Sequence, residues 1–132
     1  MKVLVDTSIW SLALRRGGDA ESGPVRELRN LIADQRVQMI GPIRQEILSG
    51  VRDPEQFKEL EERLGAFPDL ALTAEDHVTA ARFFNICRGK GVQGSNTDLL
   101  ICAVATRHRL EIFTADKDFL LFARHLPIVL HR

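Results

Sequence analysis

The sequence predicts a three-layer α/β/α domain with a central, mostly parallel sheet of four to five strands. Three observations lead there. Strand-length apolar runs alternate with longer stretches of helical spacing. The runs are apolar almost throughout, as in strands covered on both faces, rather than at every second residue. The length of 132 residues suits one core without a linker, so residues 1–132 are expected to form a single domain.

The first strand is expected over residues 2 to 5 of MKVLVDTS, and Asp6 follows it at once. Ser8 to Arg15 has helical spacing, and Gly17 stands where that helix would end. Pro24 suits a first helical turn ahead of Val25 to Ala33. VQMI at 37 to 40 is the next strand. Helices over Ile43 to Ser49 and Pro54 to Leu64 come after it, with Gly50 and Gly65 at their ends. Leu70 to Leu72 is the optional fifth strand. Thr73 with Asp76 resembles a capping box for a helix over Ala74 to Arg88, closed by Gly89. The glycine-rich connection RGKGVQGSN at 88 to 96 leads to a helix over Thr97 to His108. Its segment LLICAVA is apolar on every side, so this helix should be the most buried. EIF at 111 to 113 and PIVL at 127 to 130 complete the sheet.

Composition bounds the partners. With 18 Lys plus Arg against 18 Asp plus Glu, a polyanion would have to be held by a local patch rather than a global field. Cys87 and Cys102 match no zinc or redox spacing and read as core fillers in a reducing compartment. His77, His108, His125 and His131 have no ligand spacing either. The N-terminal apolar run is too short for a signal peptide or membrane span, so a cytoplasmic protein without membrane attachment is expected.

In an open parallel sheet, ligands bind in the crevice beyond the carboxyl ends of the strands. Four acids map to that edge. Asp6 ends the first strand, Glu46 lies on about the first turn of the helix after VQMI, Asp98 opens the buried helix, and Asp116 follows EIFT. Taken singly, Asp98 reads best as a helix cap and Glu46 as part of a solvated face. Taken together, converging carboxylates repel one another and take up protons unless cations neutralise them. An all-oxygen donor set, with Thr7, Ser8, Asn96 and Thr114 nearby, suits Mg²⁺ or Mn²⁺ and disfavours zinc. Such ions, paired about 4 Å apart, activate a water and stabilise the leaving oxygen of a phosphodiester. No serine-nucleophile elbow, Walker-type glycine loop or aspartyl-phosphate pattern competes with metal-dependent phosphodiester hydrolysis.

VLVDTSIW at 3 to 10, the acid in PIRQEILSG at 42 to 50, NTDLLICAVA at 96 to 105 and FTADKDF at 113 to 119 together resemble the PIN-domain ribonucleases. The likeness is strongest to the VapC-type toxins of toxin–antitoxin pairs. The resemblance implies a Mg²⁺- or Mn²⁺-dependent endoribonuclease with Asp6, Glu46, Asp98 and Asp116 as its acidic quartet. Asp6 and Asp98 would be the principal metal ligands, with Ser8, Asn96 and Thr114 as polar support. It also implies an RNA substrate, a homodimer and a cognate antitoxin. Two departures stand out. GPIR precedes Glu46 where relatives often place a small hydroxyl residue, and Asp118 offers a second acid that could supplement or replace Asp116.

Basic residues near the crevice mouth would supply sequence-independent RNA affinity. The candidates are Arg15, Arg16, Arg44, Arg88 and Lys90. Trp10 reads as packing rather than base stacking, and Phe57, Leu60 and Leu64 as a face for a partner or for the sheet. The same residues are open to two other readings: a PIN-domain nuclease of RNA maturation, and a non-catalytic PIN-like module that binds RNA or protein. Turnover with a divalent ion separates the last from the others.

Overall fold

A computed structural model describes residues 1–15 and 22–132. Arg16 and Gly17 lie outside the described residues. The elements run β1 (Val3–Val5), α1 (Thr7–Leu14), α2 (Gly23–Ala33), β2 (Val37–Gln38), α3 (Gly41–Ser49), α4 (Pro54–Leu64), α5 (Ala74–Gly89), α6 (Asn96–His108), β3 (Glu111–Phe113) and α7 (Asp118–Phe122). The sheet order is β2-β1-β3 with both pairings parallel. Val3 sits opposite Val37 and Glu111, and Val5 opposite Phe113. Neighbouring strand residues point to opposite faces, and Val3, Leu4 and Val5 are all 0% exposed. Both faces of the central strand are therefore covered, as a three-layer arrangement requires.

The described sheet has three strands, not four to five. PIVL makes one parallel bridge, Leu130 to Ile112, and the segment at 70 to 72 is replaced by one bridge from Asp69 to Met39. Beyond these single bridges neither segment continues as a ladder. Each outer segment still runs parallel to its neighbour. Ile112 N–H donates to the Val129 carbonyl at 2.9 Å, and Leu70 N–H to the Met39 carbonyl at 2.9 Å.

Local signals explain the helix boundaries. Ser22 and Asp53 accept from the backbone N–H groups of Val25 and Gln56, filling the first orphan donors of α2 and α4. Capping boxes start α5, from Thr73 and Asp76, and α6, from Ser95 and Asp98. Every residue from Leu99 to Ala105 is buried, as the all-round apolar segment requires. The sequence gives no sign of α7, a single short turn with no side-chain cap and too brief to show a period. Phe119 and Phe122 nevertheless anchor it at 0% exposure. A Cβ on Gly94 would lie 2.6 Å from Phe122 and 2.7 Å from Leu99, so the chain entering α6 passes too close to the core for any side chain there.

Cys87 and Cys102 are buried and free. Trp10 is 4% exposed and meets Phe67 edge-on at 5.3 Å, so it packs. On α4, Leu64 is buried and Leu60 packs against the core, while Phe57 stays half exposed. No helix among the described residues is long and apolar enough to cross a membrane.

Candidate active site

Asp6 is the first residue beyond β1 and the N-cap of α1, yet its side chain makes no cap hydrogen bond. Its backbone N–H donates to the Phe113 carbonyl at 2.9 Å, so the strand pairing fixes where the carboxylate emerges. The residue is 5% exposed. Both the Ser8 and the Thr114 hydroxyls donate to Asp6 Oδ2, each at 2.8 Å. Backbone amides decide the direction of those protons: Ala115 N–H donates to Ser8 Oγ at 2.9 Å and Asp116 N–H to Thr114 Oγ1 at 3.0 Å. A hydroxyl that accepts from an amide has its own proton free to give. Both protons converge on one oxygen, and Oδ1 takes neither.

Asp98 occupies the first turn of α6, where its Oδ2 accepts from Ser95 N–H at 3.3 Å while Ser95 Oγ accepts from Asp98 N–H at 3.1 Å. It is therefore a cap, as its position alone suggests. It is also more than a cap. Burial pushes its carboxyl above the usual range, and the charges of Asp6 and Asp116 push it further, so these three acids share one field. The Cys102 thiol, one turn along α6, is driven above its ordinary range by burial, with Asp98 and Asp6 adding to it.

Asp116 is half-buried, and its Oδ1 accepts from Asp118 N–H at 2.9 Å. Asp118 is exposed and begins α7. Of these two acids, Asp116 is the one whose charge bears on Asp98. Glu46 is exposed, and its Oε1 accepts from the Thr7 hydroxyl at 2.8 Å. Because α3 begins at Gly41, two residues before the expected start, Glu46 falls on the second turn rather than the first.

Glu46 and Thr7 line a cleft of about 430 Å³ that shares Pro42, Gln45 and Thr97 with a second cleft of about 550 Å³. Asn96, Asn85 and Phe84 line the second cleft. Arg88 lies over the ring of Phe84, 5.8 Å from its centroid. Lys90 is an exposed C-cap of α5, and Arg15 an exposed C-cap of α1. Arg44 is spent elsewhere. It forms an ion pair with Asp69 at 2.9 Å and donates to the Leu64 carbonyl at 3.0 Å and to the Phe67 carbonyl, which removes it from the substrate candidates.

Among the described residues, no three Asp, Glu, His or Cys side chains gather closely enough to cage a cation by themselves. That does not exclude Mg²⁺ from the fit. Mg²⁺ keeps several waters and takes one or two carboxylates plus substrate phosphates, and Asp6, Asp98 and Asp116 offer hard oxygen donors within one field. Sequence reasoning overlooked the two amides that orient the hydroxyls, which carry no side-chain signal. It also overlooked Ser95, which the S-x-x-D spacing to Asp98 could have revealed.

The PIN domain family profile matches residues 3–124. Ribonuclease VapC11 of Mycobacterium tuberculosis is 37% identical over 125 residues, covering 92% of each chain, and a VapC ribonuclease of Mycobacterium bovis matches to the same extent. Among solved structures, FitAcB from Neisseria gonorrhoeae superimposes with a TM-score of 0.78 at 21% identity, over 98% of this chain and 96% of that one. VapBC2 from Rickettsia felis, bound to a promoter DNA fragment, gives 0.77 at 18% identity, over 99% and 98%. At those identities the structures speak for the fold, while the sequence matches span nearly the whole chain: it belongs to the PIN domain family, as a member of the VapC type.

Proposed function

We propose that the protein is a Mg²⁺- or Mn²⁺-dependent endoribonuclease acting as the toxin of a VapBC-like pair. The observation that carries this reading is the built geometry at Asp6, whose carboxylate emerges at the end of β1 with Oδ2 held by the Ser8 and Thr114 hydroxyls, beside an Asp98 carboxyl raised mainly by burial and further by the charges of Asp6 and Asp116. Three acids crowded at a sheet edge destabilise a fold unless a cation offsets them. The bound ion would supply water activation and neutralise charge at the scissile phosphodiester. Asp6 and Asp98 are the proposed principal ligands, with Asp116 in support. Ser8 and Thr114 hold Asp6 Oδ2 and present Oδ1. Thr7 holds Glu46 in the cleft that Pro42, Gln45 and Thr97 also line, where it can orient a water or accept its proton. Asn96 lines the adjoining opening and Arg88 stacks on Phe84 of its lining; both are proposed contacts for the RNA strand, with Arg15 and Lys90 as outer phosphate contacts.

The 37% identity to VapC ribonucleases along 92% of the chain supports RNA as substrate. The structural likeness to VapBC and FitAB assemblies supports a cognate antitoxin. A homodimer follows from the family resemblance, and sedimentation of the purified protein tests it.

The decisive experiment expresses wild type beside Asp98→Ala and sequences new RNA 5′ ends, with purified protein assayed in parallel. Cleavage should require Mg²⁺ or Mn²⁺, and Asp6→Ala or Asp98→Ala should lower it by about a hundredfold or more while the chain stays folded. Metal-independent cleavage that survives both changes would overturn the reading. Tight RNA or partner binding with no turnover under any divalent ion would favour a binding module instead.

A further inference from the structure

Away from the acids, His131 is wedged between two carboxylates. Its Nδ1 lies 2.8 Å from Glu111 Oε1 and its Nε2 2.5 Å from Glu27 Oε2, with the side chain 8% exposed. An ionised carboxylate only accepts, whereas a neutral imidazole has one N–H and one lone pair. A neutral ring would aim that lone pair at one of the two anions. Only the imidazolium, with two N–H donors, satisfies both contacts.

The ring also connects to the site. Glu27 lies on α2, Glu111 opens β3, and the His131 backbone N–H donates to the Ile112 carbonyl at 2.8 Å. The ring meets Phe113 edge-on, with centroids 5.3 Å apart. The Phe113 carbonyl accepts the Asp6 N–H, and the next residue, Thr114, donates to Asp6 Oδ2. We infer that His131 is an imidazolium clamp between Glu27 and Glu111 that sets the position of Phe113 and Thr114, and through them of Asp6. It is a positioning residue. Its role in turnover rests on the nuclease reading, but the clamp itself does not.

The charged surroundings agree. Burial alone would push the His131 pKa down, yet the hydrogen bonds that the ring donates to Glu111 and Glu27 outweigh it and leave it above the ordinary value. The His131 hydrogen bond is the main reason that the Glu27 carboxyl is held below its usual range, with Asn30 and Arg36 assisting. Asp116, Lys117 and Arg132 line the same cleft as His131. Because the folded pKa is raised, the clamp is fully present below the unfolded value of about 6.5 and is lost as pH rises through the folded value.

Long-range ¹H–¹⁵N spectra of the full chain, taken from pH 5.5 to 9.5, test the clamp directly. Both ring nitrogens of His131 should show protonated shifts at pH 7, titrating above about 6.5, and Glu27→Gln should lower that midpoint. A neutral tautomer at pH 7 would overturn the clamp. For positioning, His131→Gln should shift the amide resonances of Asp6 and Thr114. It should also lower kcat for RNA cleavage about tenfold with KM nearly unchanged, and abolish the alkaline fall in kcat expected of wild type at the His131 midpoint. If His131→Gln does not fold, Glu27→Gln is read for the same changes. Wild-type kcat and unmoved amides in the folded variant would overturn the positioning role. Absence of cleavage by wild type under any divalent ion would instead defeat the nuclease reading, and the spectra would still decide the clamp.

Discussion

Asp6 gains its orientation from hydroxyls whose own oxygens are occupied by amides, so the weakest point of the arrangement is a single hydroxyl proton. Thr114→Val keeps the shape of the side chain, removes one donor from a 5%-exposed carboxylate and leaves the Asp116 N–H without its acceptor. Loss of a buried hydrogen bond to a charged group costs about 1.5–3 kcal/mol. The variant should therefore lose several degrees in melting temperature, and its kcat should fall more than Ser8→Ala lowers it if the Asp116 turn relaxes as well. Asp98 behaves oppositely in stability. Its raised carboxyl pKa means that the folded state binds a proton more readily than the unfolded one. Stability is thus lost as pH rises through the interval from the ordinary value to the folded one. Asp98→Asn keeps the amide oxygen needed for the cap and removes a charge that burial, and then Asp6 and Asp116, disfavour, so at pH 7 calorimetry should find it a few degrees more stable than wild type but inactive. Wild-type stability or lower would mean that the Asp98 charge costs the fold nothing. Sequence placed Asp6 at a strand end, where an abrupt apolar-to-acid switch is visible, and Asp98 at the opening of the buried helix. It could not assign Arg44, since nothing in the sequence near 44 foretells Asp69 and the carbonyls of Leu64 and Phe67 as its partners.

Between elements, the strongest polar tie joins α5 to α6. Arg107 donates through Nε at 2.6 Å and Nη2 at 2.8 Å to the carboxylate of Asp76, which is 1% exposed. That tie, ahead of the backbone bond to Thr73, holds the Asp76 pKa down at about 2. A depressed carboxyl contributes stability that is present above its unfolded pKa and is lost as pH falls through the folded value. The contribution is of order 2 kcal/mol, tempered by the partly exposed Arg107. Asp76→Asn should therefore melt several degrees lower at pH 7, with the gap to wild type closing between about pH 4 and pH 2. An equal gap at both ends would assign the effect to the cap rather than to the charge. This tie was not legible in the sequence, although the capping box that seats Asp76 was, because local spacing reports local bonds. The same limit governs the elements. Long helices announced themselves by period and punctuation within a residue or two, while α7 is too short for a period. The edge run PIVL was legible as a sheet segment, but not its reduction to a single bridge.

At the scale of the whole molecule, a net charge of zero coexists with a crowded acidic edge, so a divalent ion should couple to global stability without any large field steering it. Binding to the folded state alone stabilises by RT ln(1 + [L]/Kd), about 2.7 kcal/mol at a hundredfold excess over Kd. Mg²⁺ and Mn²⁺ keep several waters and take substrate phosphates as ligands, so the proposed ion alone should bind weakly and substrate phosphates should finish its coordination. Melting curves should then show a small rise with Mn²⁺, a small rise with an uncleavable RNA, and a rise with both that exceeds their sum. Asp98→Asn, already relieved of the repulsion, should lose the Mn²⁺ response and the synergy while retaining the response to RNA. Strictly additive shifts in wild type would mean that ion and RNA occupy unrelated sites. A full Mn²⁺ response in Asp98→Asn would move the ion away from α6. Synergy confined to wild type would tie the acids, the ion and the phosphate to one place at the end of β1.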